Sequence, residues 1–340
     1  MKMKAIVYTA PGEYSYTEIP VPEIKPDEIL MRVQSCGLCR TDMHIHKGHF
    51  LSEFPLTNGH EFAGVVEKTG DAVQGFQIGD RIVADNTELC GHCFHCQRDE
   101  PLFCENFVSH GCNCAGGFAE YLAIKAEKSF KIDTLSWREA VMVEPTACAM
   151  HGMDVIDLTP GSDVLLFGAG PTALILAQLL KQNGAVNLVV AAPAGAKLDL
   201  MKKLAADHVI EIDKADSSKH QQALLDQFPH RFDAVIEATG VAQLFADSIQ
   251  YARKGGQIIA YGVYDESQNV EISPSEIFMN ELTVKGSFAQ THCFDRAVNY
   301  LESGAVRVDE IVTHELPLAD YGKALDMMNN RVGIKIALLP

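Results

Sequence analysis

Six short apolar segments between residues 160 and 287 constrain the fold of this 340-residue chain more than any other feature. Each is four or five residues long, and helix-length segments separate them; they span residues 164–167, 188–191, 208–212, 233–237, 257–261 and 282–285. Strands that alternate with helices in this way form a parallel sheet with helices on both faces. The sequence therefore predicts a doubly wound α/β domain of the Rossmann type.

The residues on either side of this segment have a different character. Residues 1–150 are rich in Gly, Pro, His and Cys and contain short β-like runs at 29–33 and 62–67, while the tail after 288 ends in a strand-like run at 333–339. We therefore predict a dinucleotide-binding domain, residues 151–287, inserted in a mostly β domain that residues 1–150 and 288–340 form together.

The charge of the chain excludes two classes of partner. It carries 28 basic and 45 acidic side chains, a formal charge of −17. Nucleic acids and anionic membranes both require a local excess of Lys and Arg, so neither is an expected partner. Residues 163–180 are apolar enough to suggest a membrane span, but Gly-Ala-Gly-Pro interrupts them early. A strand, a turn and a helix are the better interpretation.

The use of cysteine indicates a reducing compartment and a metal. The opening residues lack the long apolar region of a secretory signal, and ten cysteines are too sparse for a disulfide scaffold. Seven of the ten lie between Cys90 and Cys148, both included. Clustered cysteines in a cytoplasmic protein usually bind metal, and a cytoplasmic location is the expectation here.

A glycine-rich turn follows the first of the six predicted strands. Gly168-Ala-Gly170-Pro171-Thr172-Ala173 matches the G-x-G-x-x-G/A pattern in the context that dinucleotide binding requires, after a strand and before a helix. The first glycine permits the tight turn, the second lets the backbone approach a pyrophosphate, and the helix N-terminus offers free N–H groups. The turn predicts a nicotinamide dinucleotide cofactor.

The end of the second predicted strand bears on the choice between NAD and NADP. An acid at this point holds the ribose 2′-OH of NAD, but Ala192 occupies it and the next acid is Asp199. A missing carboxylate removes repulsion against a 2′-phosphate, and Lys197 is the nearest cation that can bind one. NADP is the preferred prediction, with an NAD enzyme that dispenses with this contact as the alternative.

Four cysteines within 15 residues form the most specific metal motif. Cys90, Cys93, Cys96 and Cys104 have the spacing C-x2-C-x2-C-x7-C. Four thiolates can surround one tetrahedral zinc ion and leave no open position, so the predicted site is structural. An iron–sulfur cluster is an alternative that the spacing does not exclude. Cys112 and Cys114 have no evident partner.

A second set of potential ligands is dispersed along the chain. Cys39 begins the motif Cys-Arg-Thr-Asp-Met-His, His60 and Glu61 follow Gly59, and Glu144 precedes a proline. Cysteine, histidine and glutamate suit zinc, and three or so protein ligands leave an open position that is typical of catalytic sites.

Together these motifs resemble the zinc-containing medium-chain alcohol and polyol dehydrogenases. The motif from Gly59 to Val73, G-H-E-x2-G-x5-G-x2-V, is that family's signature, and the motif at Cys39, the four-cysteine loop, a Gly-Phe-Ala-Glu-Tyr run at 117–121 and the Gly168 turn follow in the family's order. Within the family, Glu144-Pro145 is similar to the polyol and threonine dehydrogenase branch, and residues 84–90, 103–107, 191–193 and 261–264 resemble D-arabinitol dehydrogenases. The resemblance implies a GroES-like fold for the mostly β domain.

The resemblance also implies a role for individual residues at the dispersed metal site. Cys39 and His60 would ligate a catalytic zinc, with Glu61 or Glu144 as the third protein ligand. Asp42 would not bind the metal itself; its carboxylate would orient the ligating ring of His60. Two zinc ions per chain are thus expected, one catalytic and one structural.

Further implied roles concern proton transfer and the cofactor. Thr41 and His44 match the family's relay from the substrate hydroxyl to solvent, and Arg40 matches a position that reaches the pyrophosphate. The family holds the nicotinamide against backbone that corresponds to Val263 and to Ser287 and Phe288, so the nicotinamide is expected there.

The predicted function is that of a zinc-dependent polyol dehydrogenase. It would transfer hydride between a secondary hydroxyl of a sugar alcohol, D-arabinitol or a similar compound, and NADP or NAD. An L-threonine 3-dehydrogenase or secondary-alcohol dehydrogenase of the same family is the alternative within the class. From another class, a non-catalytic redox sensor would bind zinc and dinucleotide without needing the proton relay. A homodimer or homotetramer is expected from the resemblance alone.

Overall fold

A computed structural model of the chain describes residues 1–49, 52–213 and 217–340. It contains two compact units, one made of Met1–Ala147 with Thr291–Pro340 and the other of Cys148–Gln290. Each end of the second unit lies three residues outside the corresponding end of the predicted inserted domain, 151–287. We call the first the metal unit and the second the nucleotide unit.

The N-terminal part of the metal unit is mostly β. Its described elements are, in order, β1 (Lys2–Ala10), β2 (Glu13–Pro20), β3 (Glu28–Leu38), α1 (Arg40–His46), β4 (Glu61–Thr69), β5 (Arg81–Ala84), β6 (Thr87–Glu88), β7 (Val108–Ser109), β8 (Tyr121–Lys125), β9 (Ser129–Lys131) and α2 (Trp137–Ala140). Short 3₁₀ turns cover Cys96–Arg98, Pro101–Phe103 and Ala126–Lys128. The longer helix α3 (Val143–Val155) then leads into the nucleotide unit.

Strands and helices alternate through the nucleotide unit. Their order is β10 (Ser162–Phe167), α4 (Pro171–Gln182), β11 (Ala185–Ala192), α5 (Ala196–Leu204), β12 (His208–Glu211), α6 (Ser217–Gln227), β13 (Phe232–Glu237), α7 (Ala242–Asp247), a 3₁₀ turn (Ser248–Tyr251), β14 (Ala252–Ala260), α8 (Pro274–Asn280) and β15 (Thr283–Gly286). All six strands are parallel in the order β12-β11-β10-β13-β14-β15. This is the doubly wound topology, and the fold-class prediction is confirmed.

The central strands are apolar because both faces of the sheet are covered. In β10, Val164, Leu165, Leu166 and Phe167 are all fully buried, which matches the continuous apolar runs of parallel strands rather than an alternating pattern. The helix α4 buries eight successive residues, from Ala173 to Leu180. The apolar stretch at 163–180 is therefore a buried strand, a turn and a helix. No helix in the described ranges is long and apolar enough to span a membrane.

The chain then returns to the metal unit. The last elements are α9 (Phe294–Glu302), β16 (Val312–Pro317), a 3₁₀ turn (Leu318–Asp320), α10 (Tyr321–Asn329) and β17 (Lys335–Leu339). Strands of both parts combine in a seven-stranded sheet, β16-β17-β3-β4-β5-β9, with β8 also paired to β3. Its core includes the buried aromatic residues Tyr8, Phe62, Phe118 and Tyr321. The C-terminal strand β17 thus lies against β3, directly beside the Cys39 motif.

Candidate metal centres and cofactor site

Strand pairing explains why Cys39 and His60 converge. Cys39 follows the last residue of β3, and His60 precedes the first residue of β4. These strands are antiparallel neighbours with Gly37 opposite Glu61. The end of one strand and the start of the next therefore lie side by side, which brings together ligands that are 21 positions apart in the sequence.

The three predicted ligands Cys39, His60 and Glu61 form one cluster. One ligand atom from each lies within 4.8 Å of the other two. The Glu61 carboxylate also pairs with Lys335, whose Nζ donates to Oε1 at 2.5 Å. Lys335 is available because Ile336, the next residue of β17, pairs with Leu38 of β3. Both charged side chains are almost fully buried.

The predicted ligand Glu144 is not one of the three clustered residues. It occupies the first turn of α3, is half-buried, and shares no such three-residue group among the described residues. Its negative charge contributes, with those of Glu61 and Cys39, to a raised pKa of Lys335, although burial opposes that shift. The carboxylate that the structure places beside Cys39 and His60 is therefore that of Glu61.

The helix α1 carries the other predicted residues of this site. Cys39 is its N-cap, and the Asp42 carboxylate accepts the Cys39 backbone N–H at 2.8 Å. The Cys39 thiol lies 3.7 Å from the Thr41 hydroxyl. Thr41 and His44 are three residues apart, so they lie on one face of the helix. Arg40, the first helical residue, is exposed.

The electrostatics of the cluster indicate an excess of negative charge. Burial lowers the pKa of His60, but the charges of Cys112 and Asp42 outweigh it and raise the pKa well above its usual value. Burial raises the pKa of the Asp42 carboxyl to about 6, against the opposing effect of His60. A buried site that draws a proton onto its histidine would be neutralised by a divalent cation. The donor set of thiol, imidazole and carboxylate fits zinc.

Sequence reasoning missed Lys335 and Cys112 beside this cluster and gave the signature residue Gly59 no structural role. Gly59 adopts φ +95°, and a side chain there would collide with Phe118, so the turn before His60 requires glycine. The buried Cys112 thiol contacts the His60 ring. Lys335 had a signal in the sequence, because a lone lysine in an apolar C-terminal strand is unusual. Cys112 had none, since its partner is 52 positions away.

The four-cysteine loop forms the second cluster. The sulfur atoms of Cys90, Cys93, Cys96 and Cys104 all lie within 4.8 Å of one another, and none of the described cysteines is in a disulfide. Cys93 and Cys104 are buried, while Cys90 and Cys96 are half-buried. Four sulfur atoms at this separation match a tetrahedral zinc site with no position left for substrate.

Backbone N–H groups in this loop point at the sulfur atoms. The Cys90 N–H donates to the Cys104 sulfur at 3.3 Å. Hydrogen bonding from the backbone N–H of His92 lowers the pKa of Cys90 to about 6, and that of Cys96 lowers the pKa of Cys93. Burial raises the pKa of Cys96 to about 12. The backbone therefore favours the thiolate, the form of cysteine that binds metal, at Cys90 and Cys93.

The glycine-rich turn has the geometry of a phosphate site. Gly168 adopts φ +116°, with the chain of residues 238–239 beside it, so the tight turn needs glycine. No described atom lies within 4 Å of where a Gly170 side chain would project. The helix α4 begins at Pro171 and Thr172, and no side chain caps it in the part of the chain that the structure describes. Its free N–H groups can receive a pyrophosphate.

The other predicted cofactor residues lie at or just beyond the carboxyl ends of the strands. Ala192 ends β11 and is buried, and Lys197 is in the first turn of α5. Val263 follows β14, and the Ser287 N–H donates to Ala260 of β14 at 3.0 Å. Phe288 and Val263 are both exposed. Ligands of doubly wound sheets bind at this edge.

A buried glutamate at the same edge was not predicted. Glu237 ends β13 and is fully buried. Its carboxylate accepts the N–H groups of Thr239 and Gly240 at 2.7 and 3.0 Å and the Tyr264 hydroxyl at 2.6 Å. It therefore fixes the loop that contacts Gly168. An acid ending an apolar strand was the available signal.

Two protein-family models match the chain. The model of the alcohol dehydrogenase GroES-like domain matches residues 25–134, and that of the zinc-binding dehydrogenase matches residues 171–303. A solved zinc-binding dehydrogenase from Sinorhizobium meliloti bound to NADP superposes with a TM-score of 0.93 at 31% identity and covers 100% of both chains.

Two curated relatives align over nearly their whole length. The chain is 48% identical to D-arabinitol dehydrogenase 1 of Uromyces fabae, over 100% of this chain and 97% of that protein. It is 30% identical to L-threonine 3-dehydrogenase of Idiomarina loihiensis, over 99% of each. The resemblance seen in the motifs is confirmed, and the chain belongs to the zinc-dependent alcohol dehydrogenase family, with a GroES-like domain and a Rossmann domain.

Proposed function

We propose that this enzyme oxidises a secondary hydroxyl of a sugar alcohol of the D-arabinitol type and, in the reverse direction, reduces the corresponding ketose. NADP is its preferred cofactor. The observation that carries the proposal is the cluster of Cys39, His60 and Glu61, whose ligand atoms lie within 4.8 Å of one another. The 48% identity to a D-arabinitol dehydrogenase supports a polyol substrate.

We infer that Cys39, His60 and Glu61 hold a catalytic zinc and that the four-cysteine loop holds a structural one. Glu144 is assigned to the surroundings of the first site, where it can accept a hydrogen bond from a substrate hydroxyl. A zinc ion held there would supply Lewis acidity that lowers the pKa of an alcohol by several units, and a bound nicotinamide would be the hydride acceptor. The residue assignments rest on the geometry described above.

The residues of α1 would handle the proton. An alcohol loses hydride readily only after its hydroxyl proton has left, so a relay is required. The Thr41 hydroxyl, which lies 3.7 Å from the Cys39 sulfur, would accept that proton from the substrate. His44, on the same helical face, would pass it to solvent. Asp42 would fix His60 and the Cys39 backbone, and Arg40 would bind the cofactor's pyrophosphate.

The preference for NADP follows from the ribose end of the site. Ala192 presents no carboxylate to repel a 2′-phosphate, and Lys197 follows in the first turn of α5. The relative from Sinorhizobium meliloti was solved with NADP. We propose that Gly168, Gly170, Pro171 and Thr172 bind the pyrophosphate and that Val263, Ser287 and Phe288 bind the nicotinamide.

L-Threonine is the second candidate substrate, because threonine dehydrogenases align over the whole chain. Identity of 30% against 48% makes it the weaker candidate. We further propose residues 1–150 with 288–340 as the catalytic domain and 151–287 as the cofactor domain, and a homodimer or homotetramer. A reducing, cytoplasmic location is proposed as well, because none of the described cysteines is in a disulfide.

A substrate panel tests the proposal directly. The purified enzyme is assayed on D-arabinitol, sorbitol, L-threonine and a simple secondary alcohol, each with NAD and with NADP. We expect the highest kcat/KM with D-arabinitol and NADP. A higher kcat/KM with threonine would replace the polyol assignment, and no hydride transfer with any pair would favour a non-catalytic sensor.

A further inference from the structure

A continuous chain of hydrogen bonds runs from the candidate metal site to the surface. Asn58 Nδ2 donates to Asp42 Oδ1 at 3.1 Å and to the Tyr321 hydroxyl at 3.0 Å. The Tyr321 hydroxyl lies 3.1 Å from that of Tyr8, which lies 2.9 Å from Nδ1 of His46. His46 is half-buried at the outer end of the chain. We call these five side chains the tyrosine relay.

The inner members of the relay are removed from water. Asp42, Asn58 and Tyr8 are 0% exposed and Tyr321 is 1% exposed. Burial raises the pKa of both phenols, so they remain neutral donors. The Asn58 amide oxygen makes no hydrogen bond within the described ranges, so this side chain is placed by its two N–H donors alone. Loss of one partner would leave a buried polar group unsatisfied.

Both ends of the relay are on the same helix. Asp42 and His46 are four residues apart in α1, while Asn58 precedes β4, Tyr321 begins α10 and Tyr8 is in β1. The relay and the helix therefore form a closed ring. Because the seven-residue helix α1 is too short to be rigid by itself, this ring fixes its orientation against three other parts of the unit.

The ring reaches the metal ligands through Asp42. One carboxylate oxygen accepts the backbone N–H of Cys39 at 2.8 Å. The other, which accepts from Asn58, lies 3.8 Å from Nδ1 of His60, and that nitrogen has no hydrogen-bond partner among the described residues. The position of the carboxylate thus depends on Asn58 and, through it, on Tyr321.

We propose that Tyr321 is a positioning residue for the zinc site, acting through Asn58 and Asp42 on Cys39 and His60. The proposal rests on the proposed function, since it requires zinc at these ligands. It predicts a dependence of zinc retention on a hydroxyl group contributed by a helix near the C-terminus. Residues that orient metal ligands typically change metal affinity or activity by about 10–100-fold when they are replaced.

Tyr321→Phe is the decisive variant, because it removes one oxygen and keeps a ring that packs 5.4 Å from Phe118 and 5.0 Å from Tyr14. Tyr14→Phe is the matched control. Its ring belongs to the same aromatic group, 5.3 Å from Tyr8, but no hydrogen bond of its hydroxyl occurs in the part of the chain that the structure describes.

The measured quantity is the rate at which each zinc-loaded protein releases zinc to a chromogenic chelator. For Tyr321→Phe we expect the zinc at Cys39 and His60 to leave about 10-fold faster than in the wild type, with the four-cysteine zinc unchanged. Tyr14→Phe should match the wild type. Cobalt substitution gives a second readout, because a moved ligand shifts the visible absorption of Co²⁺ bound to thiolate.

Tyr8→Phe extends the test and replaces it if Tyr321→Phe does not fold. Tyr8 is one hydrogen bond further from Asp42 than Tyr321 is, so the zinc release rate should increase less in Tyr8→Phe than in Tyr321→Phe. If both variants had a lowered melting temperature but the zinc release and cobalt spectrum of the wild type, the two tyrosines would have a purely structural role. That result would overturn this inference and leave the proposed function standing. If Cys39→Ser retained all the zinc of the wild type, the proposed function would fail, and this inference with it.

Discussion

The two cysteine-containing clusters illustrate two ways of building a metal site. The four-cysteine loop draws its potential ligands from 15 consecutive residues, Cys90 to Cys104, and four sulfur atoms would fill the coordination sphere of a zinc ion. The cluster of Cys39, His60 and Glu61 combines different potential ligands from the ends of two paired strands and would leave one position open. A closed local site stabilises a loop, whereas an open site assembled by the fold can perform chemistry.

The two clusters also differ in what surrounds them. Backbone N–H groups surround the sulfur atoms of the loop. Side chains surround the open site: Asp42 is on α1, which begins directly after Cys39, whereas Lys335 of β17 and Cys112 come from distant parts of the chain. The loop should therefore tolerate changes elsewhere in the chain, and the open site should not.

Cys39→Ser should have the largest effect. It removes a soft ligand of the open site, and a loss of about 4 kcal/mol of transition-state stabilisation corresponds to about a thousandfold in kcat. Steady-state kinetics with the best polyol measure the loss. NADP affinity should match that of the wild type, since the substitution is remote in sequence from the Gly168 turn; full activity would contradict the catalytic assignment.

Cys93→Ser should have the opposite signature. Structural zinc contributes directly to folding, so we expect a loss of at least about 3 kcal/mol in the free energy of unfolding. Activity per remaining native molecule at low temperature should change little. Denaturant unfolding checks the first expectation, with Cys148→Ser as the control because Cys148 belongs to neither cluster. Equal stability of the two variants would mean that the loop does not depend on metal.

Lys335→Met tests the charge balance of the open site. It leaves the Glu61 carboxylate, which is 1% exposed, without its partner, and breaking a buried ion pair costs about 3–5 kcal/mol. Lys25→Met is the control, because Lys25 pairs with Glu28 while 73% exposed and should cost about 0–1 kcal/mol. Urea unfolding measures both.

The same variant distinguishes Glu61 from Glu144 as the third ligand. If Glu61 ligates the zinc, the loss of stability in Lys335→Met should be larger after the metal is removed by a chelator, because the metal then no longer neutralises the carboxylate. An identical loss with and without zinc would assign the ligand role to Glu144.

Glu88→Gln should have the smallest effect and a dependence on pH. Glu88 ends β6 at the base of the four-cysteine loop and pairs with His110 at 2.9 Å and Lys125 at 3.0 Å. The hydrogen bond from His110 lowers the pKa of Glu88 to about 2 from the usual 4.5. Because the folded pKa is depressed, this carboxylate stabilises the fold above pH 4.5, and the contribution is lost as pH falls towards about 2.

Unfolding free energies measured between neutral pH and pH 2 test this expectation. Glu88→Gln should weaken the pH dependence below about 4.5, whereas Glu105→Gln, which removes an exposed carboxylate of the same loop, should leave it unchanged. Parallel curves for Glu88→Gln and the wild type would show that the ion pair is not coupled to folding.

The sequence was sufficient for features that depend on local spacing. The six strands, the Gly168 turn and the four-cysteine loop each occupy a short stretch whose pattern already determines its structure. The three-ligand cluster was reached through resemblance to a family. Residues such as Lys335, Tyr321 and Cys112 act through pairing of β3 with β17 and packing of α10, and no local pattern reports which distant element will lie beside a site.

Zinc content measured together with turnover tests whether the chain holds one catalytic and one structural zinc ion. Purified wild-type protein, Cys39→Ser and Cys93→Ser are analysed for zinc per chain and for hydride transfer to NADP. We expect about two zinc ions per chain in the wild type and about one in each variant, with turnover lost only in Cys39→Ser. A single zinc in the wild type, or undiminished turnover in a Cys39→Ser protein that has lost one zinc, would contradict it.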